Sequence, residues 1–370
     1  MNKRDDMNAM YACEILPRLR FNTLQQTCKL VCKTWYSLIK SSDFVESHLK
    51  KSIQNHLLNV VFFNPTTNSI QYFDCDAFHP SSNSSKLCVS TRHYSILGSC
   101  NGLLCFGSNN LTDNSNPMYN FLIYNPTTGI GKSYDVEYLK ILVECPDYKD
   151  NIGFGFGCSC DDYKLIFIKE RQIHVYSLKL SFCRRLEDYS CKDCLWTTNN
   201  LSLGVTTKNT IHWFYGEGHR IKGIFSLDLI TKKQFETLIP NSSYQEKPWL
   251  LPVKERLYMV SNAYSIREPL NLMKINVWVL NKYGKFHDCW THLFKVELDN
   301  VIYSAIPMSL KEGGRKVLFE LWRYKNYNDK KSYVWYDLIT KTRDEQQLHE
   351  MSSKLEAVPC LETLVNPQSL

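Results

Sequence analysis

The sequence is short of several features, and each shortage removes a class of protein. No stretch reaches the roughly 20 apolar residues that a membrane-spanning helix needs, and Met1-Asn2-Lys3-Arg4-Asp5-Asp6 has no apolar leader core. The expectation is a soluble chain of the cytoplasm or nucleus. There is no Gly-x-Ser-x-Gly elbow and no Gly-x-x-x-x-Gly-Lys-Ser/Thr loop, which argues against the common hydrolase and nucleotide-binding chemistries. His174, His212, His219, His287 and His292 are scattered, without the paired spacing of a metal site. The net charge of +7 favours an acidic partner, yet no Lys/Arg run is dense enough to mark nucleic-acid binding.

Cysteine is abundant, but a disulfide framework is not indicated. The count of 15 is odd, the chain is long, and nothing directs it to an oxidising compartment. Cys191-Lys192-Asp193-Cys194 has the spacing of a metal or redox pair, but no second Cys or His pair stands at zinc-finger distance. The sequons at Asn83, Asn110, Asn200 and Asn241 are silent without secretion. Asp161-Asp162 offers two carboxylates, and adjacent acids at a hairpin read more simply as solvated turn formers. Gly153-Phe154-Gly155-Phe156-Gly157 lies among strands instead of opening a helix, so it reads as sheet packing and not as a phosphate cradle. No cofactor, no metal and no catalytic residue is expected, and the chain reads as a non-enzyme.

What is present is a turn that recurs. Phe62-Phe63-Asn64-Pro65-Thr66-Thr67, Ile123-Tyr124-Asn125-Pro126-Thr127-Thr128, Ser226-Leu227-Asp228-Leu229-Ile230-Thr231 and Trp335-Tyr336-Asp337-Leu338-Ile339-Thr340 each run an apolar strand into Asn or Asp and a turn. With Val175-Tyr176-Ser177-Leu178 and Val277-Trp278-Val279-Leu280, the equivalent positions are 64, 125, 178, 228, 280 and 337. The gaps are 61, 53, 50, 52 and 57 residues, about the length of a kelch-type blade. A second set of turns falls between them, at Asn101-Gly102, Asp161-Asp162, Lys208-Asn209, Lys254-Glu255 and Gly313-Gly314. Each precedes a run rich in aromatic and β-branched residues, such as Tyr163-Lys164-Leu165-Ile166-Phe167-Ile168. Two hairpins per period make four strands. The predicted fold is mainly β, a kelch-like propeller of about six blades over residues 56–370. Val358 to Val365 reads as a last strand that returns to the first blade and removes an exposed edge.

Residues 10–50 have a different texture. Ile15, Leu16 and Leu19, then Leu24, Cys28, Val31, Cys32, Trp35, Leu38 and Ile39, recur at three- and four-residue intervals, the mark of amphipathic helices. Pro17 and the stretch Arg20 to Thr23 interrupt the first helix, and Ser41-Ser42-Asp43 stops one helix and caps a short one around Phe44, Val45 and His48. Three short helices are too small to bury this apolar surface alone, so several of these side chains should meet a partner.

This segment resembles an F-box through Glu14-Ile15-Leu16-Pro17-Arg18-Leu19 and Leu30-Val31-Cys32-Lys33-Thr34-Trp35-Tyr36-Ser37-Leu38-Ile39. The remainder is similar to the F-box-associated domain of the large plant family that includes the S-locus-like F-box proteins. That similarity rests on Gly98-Ser99-Cys100-Asn101-Gly102-Leu103-Leu104-Cys105, Gly153-Phe154-Gly155-Phe156, Ile211-His212-Trp213, Val277-Trp278-Val279-Leu280 and Trp290-Thr291. Three departures stand out: Met7-Asn8 replace a usual Leu-Pro, Arg20 replaces a frequent Pro, and Leu24 to Trp35 is one residue longer than the usual spacing.

The resemblance implies a substrate receptor of an SCF-type ubiquitin ligase, with the helices on a Skp-type adaptor bound to a cullin and the propeller holding a target protein. The adaptor contacts it suggests are Leu16, Pro17, Leu19, Leu24, Val31, Trp35, Leu38 and Ile39. Candidate substrate contacts, beside or within predicted connections, are Trp196, Tyr215, His219, Arg220, Trp249 and Tyr264. Two other readings stay open: an interaction scaffold with a decayed F-box, and a glycoprotein-binding receptor.

Overall fold

The fold is known from a computed structural model. It describes residues 13–55, 57–74, 79–80, 85–86, 94–110, 118–136, 152–169, 172–186, 203–217, 220–240, 247–253, 255–264, 273–284, 289–298, 302–311, 315–325, 328–343 and 355–370. Contacts group the chain into two compact units, one of residues 1–110, 118–136 and 357–370 and one of 111–117 and 137–356.

The first unit begins with helices. After a 3₁₀ turn at Leu16–Arg18, which Pro17 starts, a continuous helical run α1 is made of Phe21–Thr23, Leu24–Cys28 and Lys29–Val31. Its middle segment is a π-helix, in which Lys29 N–H donates to Leu24 O, five residues back. A π turn is what one extra residue makes inside an α-helix, and Leu24 and Cys28 are both still buried. Cys32 then turns extended, and its Sγ accepts from Trp35 N–H at 3.5 Å, capping α2 at Lys33–Ile39. Ser41 Oγ accepts from Phe44 N–H at 3.3 Å at the start of α3, Ser42–Asn55. Helix α3 is 14 residues long, well beyond the short helix expected around Phe44. Its burial supplies the reason: Phe44, His48 and Ser52 form a stripe at four-residue spacing that faces the interior.

Two sheets complete this unit. The first contains β1 (Leu58–Asn64), β2 (Ser69–Asp74), β3 (His79–Pro80) and β4 (Ser85–Lys86), with the last strand of the chain, β25 (Glu356–Leu361), beside β1. The C-terminal segment thus returns to the first sheet, as its apolar pattern suggested. The second sheet is β5 (Tyr94–Cys100), β6 (Leu103–Asn110), β7 (Met118–Asn125) and β8 (Ile130–Val136) in order. Between them lies a core of Phe63, Ile70, Tyr94, Phe106, Tyr124 and Cys360, where Phe63 and Phe106 meet edge to face at 4.9 Å. Asn101 and Gly102 both have positive φ, the backbone of the tight hairpin their dipeptide predicts. A Cβ on Gly102 would stand 2.4 Å from Leu361 O, so the turn also makes room for the returning chain.

The second unit holds four more four-stranded antiparallel sheets, each in chain order across its width. They are β9 (Ile152–Gly157), β10 (Asp162–Lys169), β11 (Gln172–Ser177) and β12 (Phe182–Leu186); β13 (Val205–Thr207), β14 (Thr210–Glu217), β15 (Arg220–Asp228) and β16 (Gln234–Leu238); β17 (Lys247–Val253), β18 (Arg256–Tyr264), β19 (Met273–Leu280) and β20 (Trp290–Leu298); and β21 (Ile302–Lys311), β22 (Lys316–Lys325), β23 (Asn328–Asp337) and β24 (Thr342–Arg343). Consecutive sheets share apolar cores: Ile166, Val175, Trp213 and Phe225 join the first pair, Phe214, Met259 and Trp290 the next, and Val260, Ile275 and Phe319 the last. Gly153 is glycine because a Cβ there would lie 2.4 Å from Trp213 of the neighbouring sheet. Trp213 is fully buried and donates to Ile152 O at 3.3 Å, so the glycine-rich run is packing.

The recurring turn has one mechanism. Asn64, Asn125, Asp228 and Asp337 each end a strand, and each Oδ1 accepts from two backbone N–H groups, two and three residues on, at 2.7–3.3 Å. Four residues after each, Asn68, Gly129, Lys232 and Lys341 carry positive φ and close the turn. The repeat frame needs two corrections. The third copy is centred on Ser177 and not Leu178: Ser177 Oγ accepts from Leu180 N–H at 3.0 Å, and Ser181 takes the positive φ. The first copy joins the second and third strands of its sheet, counted from β25, whereas the others join the third and fourth. That offset accompanies the longest gap, 61 residues, because the C-terminus supplies one position of the first sheet. Asp161-Asp162 also divides unexpectedly. Asp161 is exposed, but Asp162 is buried, bonded to Lys164 Nζ at 2.9 Å and accepting from Lys179 N–H at 3.1 Å.

Candidate partner-binding surfaces

The helical region sorts its apolar residues into two groups. Leu16, Leu24, Cys28, Ile39 and Phe44 are buried together with Leu364 from the C-terminal segment, and Leu19, Phe21, Trp35, Leu38 and Val45 pack against them half-buried. Ile15, Leu30, Val31 and Tyr36 are exposed at 48, 78, 59 and 45%. In so small a region, four large apolar side chains left in water are a candidate contact surface.

Of the eight residues expected to touch an adaptor, Leu16, Pro17, Leu24 and Ile39 are therefore internal, Leu19, Trp35 and Leu38 are partly covered, and Val31 is open. Burial within the chain gives the internal ones a shaping role. Ile15, Leu30 and Tyr36 were not among the expected contacts, because periodicity identifies an apolar stripe but not what covers it. The chain turns extended at Cys32, where the sequence has no Pro or Gly to signal a break; this ends α1 at Val31 and leaves its last turn exposed.

The helical segment is basic: residues 13–55 carry seven Lys/Arg against three Asp/Glu, a balance that favours acidic partners by long-range attraction. Lys40 Nζ sits 4.3 Å from the Tyr36 ring centre and donates to its hydroxyl, which holds the phenol below its usual pKa. Lys29 lies beside them, bonded to Gln25 Oε1 at 2.6 Å, its own pKa lowered by burial and then by Lys40.

A second surface follows from the topology of the four-sheet unit. Antiparallel order puts the connections between first and second strands, and between third and fourth, at one edge of each sheet. Those are mostly the tight turns already described. The second-to-third connections and the chain's passage from sheet to sheet fall at the opposite edge. The parallel bridge between Gly153 and Gly204 shows that β9 and the chain entering β13 run the same way, so the edges correspond. Arg220 starts β15 and Tyr264 ends β18, equivalent ends in consecutive sheets, and Trp249 lies near the entry of β17. Trp249 is half-buried. Tyr215 is a correction: it is only 5% exposed within the core shared with β10 and β11, so its ring packs the sheets and is closed to a macromolecule. Trp196 and His219 lie outside the described residues, as do Met7-Asn8 and Cys191-Lys192-Asp193-Cys194.

His212, one of the scattered histidines, is fully buried, its two ring nitrogens bonded to Thr207 Oγ1 at 2.7 Å and Ser226 Oγ at 2.8 Å. Burial lowers its pKa to about 3, which keeps it neutral and structural.

Six sheets, preceded by short helices that leave apolar side chains in water, define a mainly β protein, a six-bladed propeller with a helical segment ahead of it. The profile of the F-box associated beta propeller domain matches residues 58–358, and the chain belongs to that family of plant F-box proteins. F-box protein CPR1 of Arabidopsis thaliana is 23% identical over 389 residues, covering 95% of this chain and 87% of that protein. F-box protein At4g22390 of the same plant is 23% identical over 371 residues, covering 89 and 83%. Among solved structures, the beta-propeller domain of Cps50 (Swd1) from Myceliophteria thermophila is 10% identical, with a TM-score of 0.38 over 80% of this chain and 86% of that one.

Proposed function

We propose that this protein is the substrate-recognition subunit of an SCF-type ubiquitin ligase and is itself non-catalytic. Residues 10–50 act as the F-box that docks on a Skp-type adaptor, and through it on the cullin. The propeller over residues 56–370 holds the target protein. One observation supports this most: the helical segment of an F-box-associated propeller presents Ile15, Leu30, Val31 and Tyr36 to solvent. Each such side chain is worth about 1.5–3 kcal/mol when fully covered, and a few anchors of this kind dominate most interfaces. The edge of the sheets carrying Arg220, Trp249 and Tyr264 is the proposed substrate side, because long connections on a rigid scaffold are where recognition varies.

The test is calorimetric titration of the full chain with a purified plant Skp adaptor. Binding by the wild type, lost in Leu30→Asp/Val31→Asp with an unchanged melting temperature, supports the receptor reading. A wild-type chain that stays unbound at high micromolar adaptor overturns it in favour of the scaffold reading.

A further inference from the structure

The helices do not merely precede the first sheet; a buried carboxylate fastens them to it. Glu362, 5% exposed, follows β25. Its Oε1 accepts from the backbone N–H of Phe21, the first residue of α1. Its Oε2 accepts from Arg20 Nη1 at 3.1 Å and from Asn59 Nδ2 of β1 at 3.4 Å. Arg20 Nη1 also reaches Asn59 Oδ1 at 3.3 Å.

The chain of bonds continues into the sheets. Asn59 Nδ2 donates to Tyr72 OH of β2 at 2.7 Å, and Tyr72 OH meets Thr127 Oγ1, in the turn after β7, at 3.2 Å. Thr127 Oγ1 in turn accepts from Thr363 N–H at 3.3 Å. Asn125 Nδ2 holds the same C-terminal segment through Thr363 O at 3.1 Å and Val365 O at 2.7 Å. Leu364, one residue further along, enters the apolar core of the helices.

Arg20 itself supplies no side-chain cap to α1, and the N–H of its first residue, Phe21, is served from 341 residues away. A negative group at a helix N-terminus is also favoured by the helix dipole. The arginine that stood out as a departure from the family pattern is one of the carboxylate's partners.

We propose that Glu362 is a positioning residue, which with Arg20 and Asn59 locks the helical segment onto the first sheet and the C-terminal strand as one mechanical piece. A partner docked on Leu30 and Val31 is then carried at a set angle to the first two blades. The use of that angle in ubiquitin transfer rests on the ligase reading above; the joint itself does not.

Peptide-resolved hydrogen–deuterium exchange on the full chain tests the joint. Glu362→Ala should speed exchange across residues 13–55 by about tenfold or more, while β9 to β24 keep their wild-type rates. Arg20→Ala should give the same pattern more weakly, and the double variant less than the product of the two effects. Glu362→Gln retains an acceptor for Phe21 N–H and should retain part of the protection, which also guards against a Glu362→Ala chain that fails to fold. Adaptor titration separates positioning from shape. Glu362→Ala should keep the wild-type Kd within about twofold, whereas Leu24→Ala, inside the helical core, should weaken it by about tenfold or more. Uniformly faster exchange, unchanged exchange, or an adaptor loss matching Leu24→Ala would each overturn the proposal. If the wild type does not bind adaptor, the ligase reading falls and the exchange pattern alone decides the joint.

Discussion

The helical segment and the sheets solve the same problem of burial with different resources. Each sheet of the second unit has a neighbour, and side chains such as Trp213, Phe225 and Phe319 disappear between them. The helices have no such stack. They finish their core with one leucine from the far end of the chain, satisfy a helix terminus with one distant carboxylate, and leave Leu30 78% exposed. Within the second unit each sheet is buried by the sheet next to it in sequence, whereas the short helical segment depends on what is brought to it.

The largest expected effect comes from removing what is brought. Truncation after Glu350 deletes β25, Cys360, Glu362 and Leu364, so it should lower the melting temperature of the whole chain and disorder residues 13–55 first. Calorimetry with far-ultraviolet dichroism reads this out, and an unchanged melting temperature would break the comparison. Next is Trp213→Ala, which opens a cavity between two sheets and should cost about 3–5 kcal/mol in denaturant unfolding. Exchange in the helices should be unaffected by it.

Acidification should act with a definite sign. His212 has a folded pKa of about 3, below the unfolded value of about 6.5, so the unfolded chain binds more protons between these limits. Stability is then full above about pH 6.5 and falls as pH drops toward 3, by a few kcal/mol from this group. His48 contributes in the same direction, since burial lowers its pKa as well. Urea midpoints from pH 7 to 4 should flatten in His212→Gln if the buried imidazole carries the slope.

The smallest stability effects belong to the exposed side chains. Leu30→Asp and Tyr36→Ala should change unfolding free energy by no more than about 0.5 kcal/mol while weakening the adaptor binding proposed above, read by the same calorimetric titration. Asn125→Ala falls between these extremes, at about 1 kcal/mol, because it loses a turn acceptor and two bonds to the C-terminal segment.

Much of the architecture was legible because it is local. Asn64, Asn125, Asp228 and Asp337 bond to N–H groups two and three residues away, so the residue type at the strand end suffices to predict the turn and its period. The returning strand was legible from the apolar pattern of Val358 to Val365. The offset of the first turn was not, because it depends on β25 standing beside β1. The candidate sites were harder still. Tyr215 and Trp249 are both aromatic residues of strands, and only packing made one core and left the other half-covered.

By itself, then, the sequence determined which regions are helical and which are strands, a count of about six blades, and most of the turns that join them, since backbone and short-range bonds decide these within a few residues. Tertiary structure decided which apolar residues of the helices face water, that Asp162 is buried, and that Arg20 meets Glu362. The last of these turns on the cost of leaving a buried charge or N–H unpaired, and the partner that removes that cost lies 342 residues from Arg20, where no local pattern reaches.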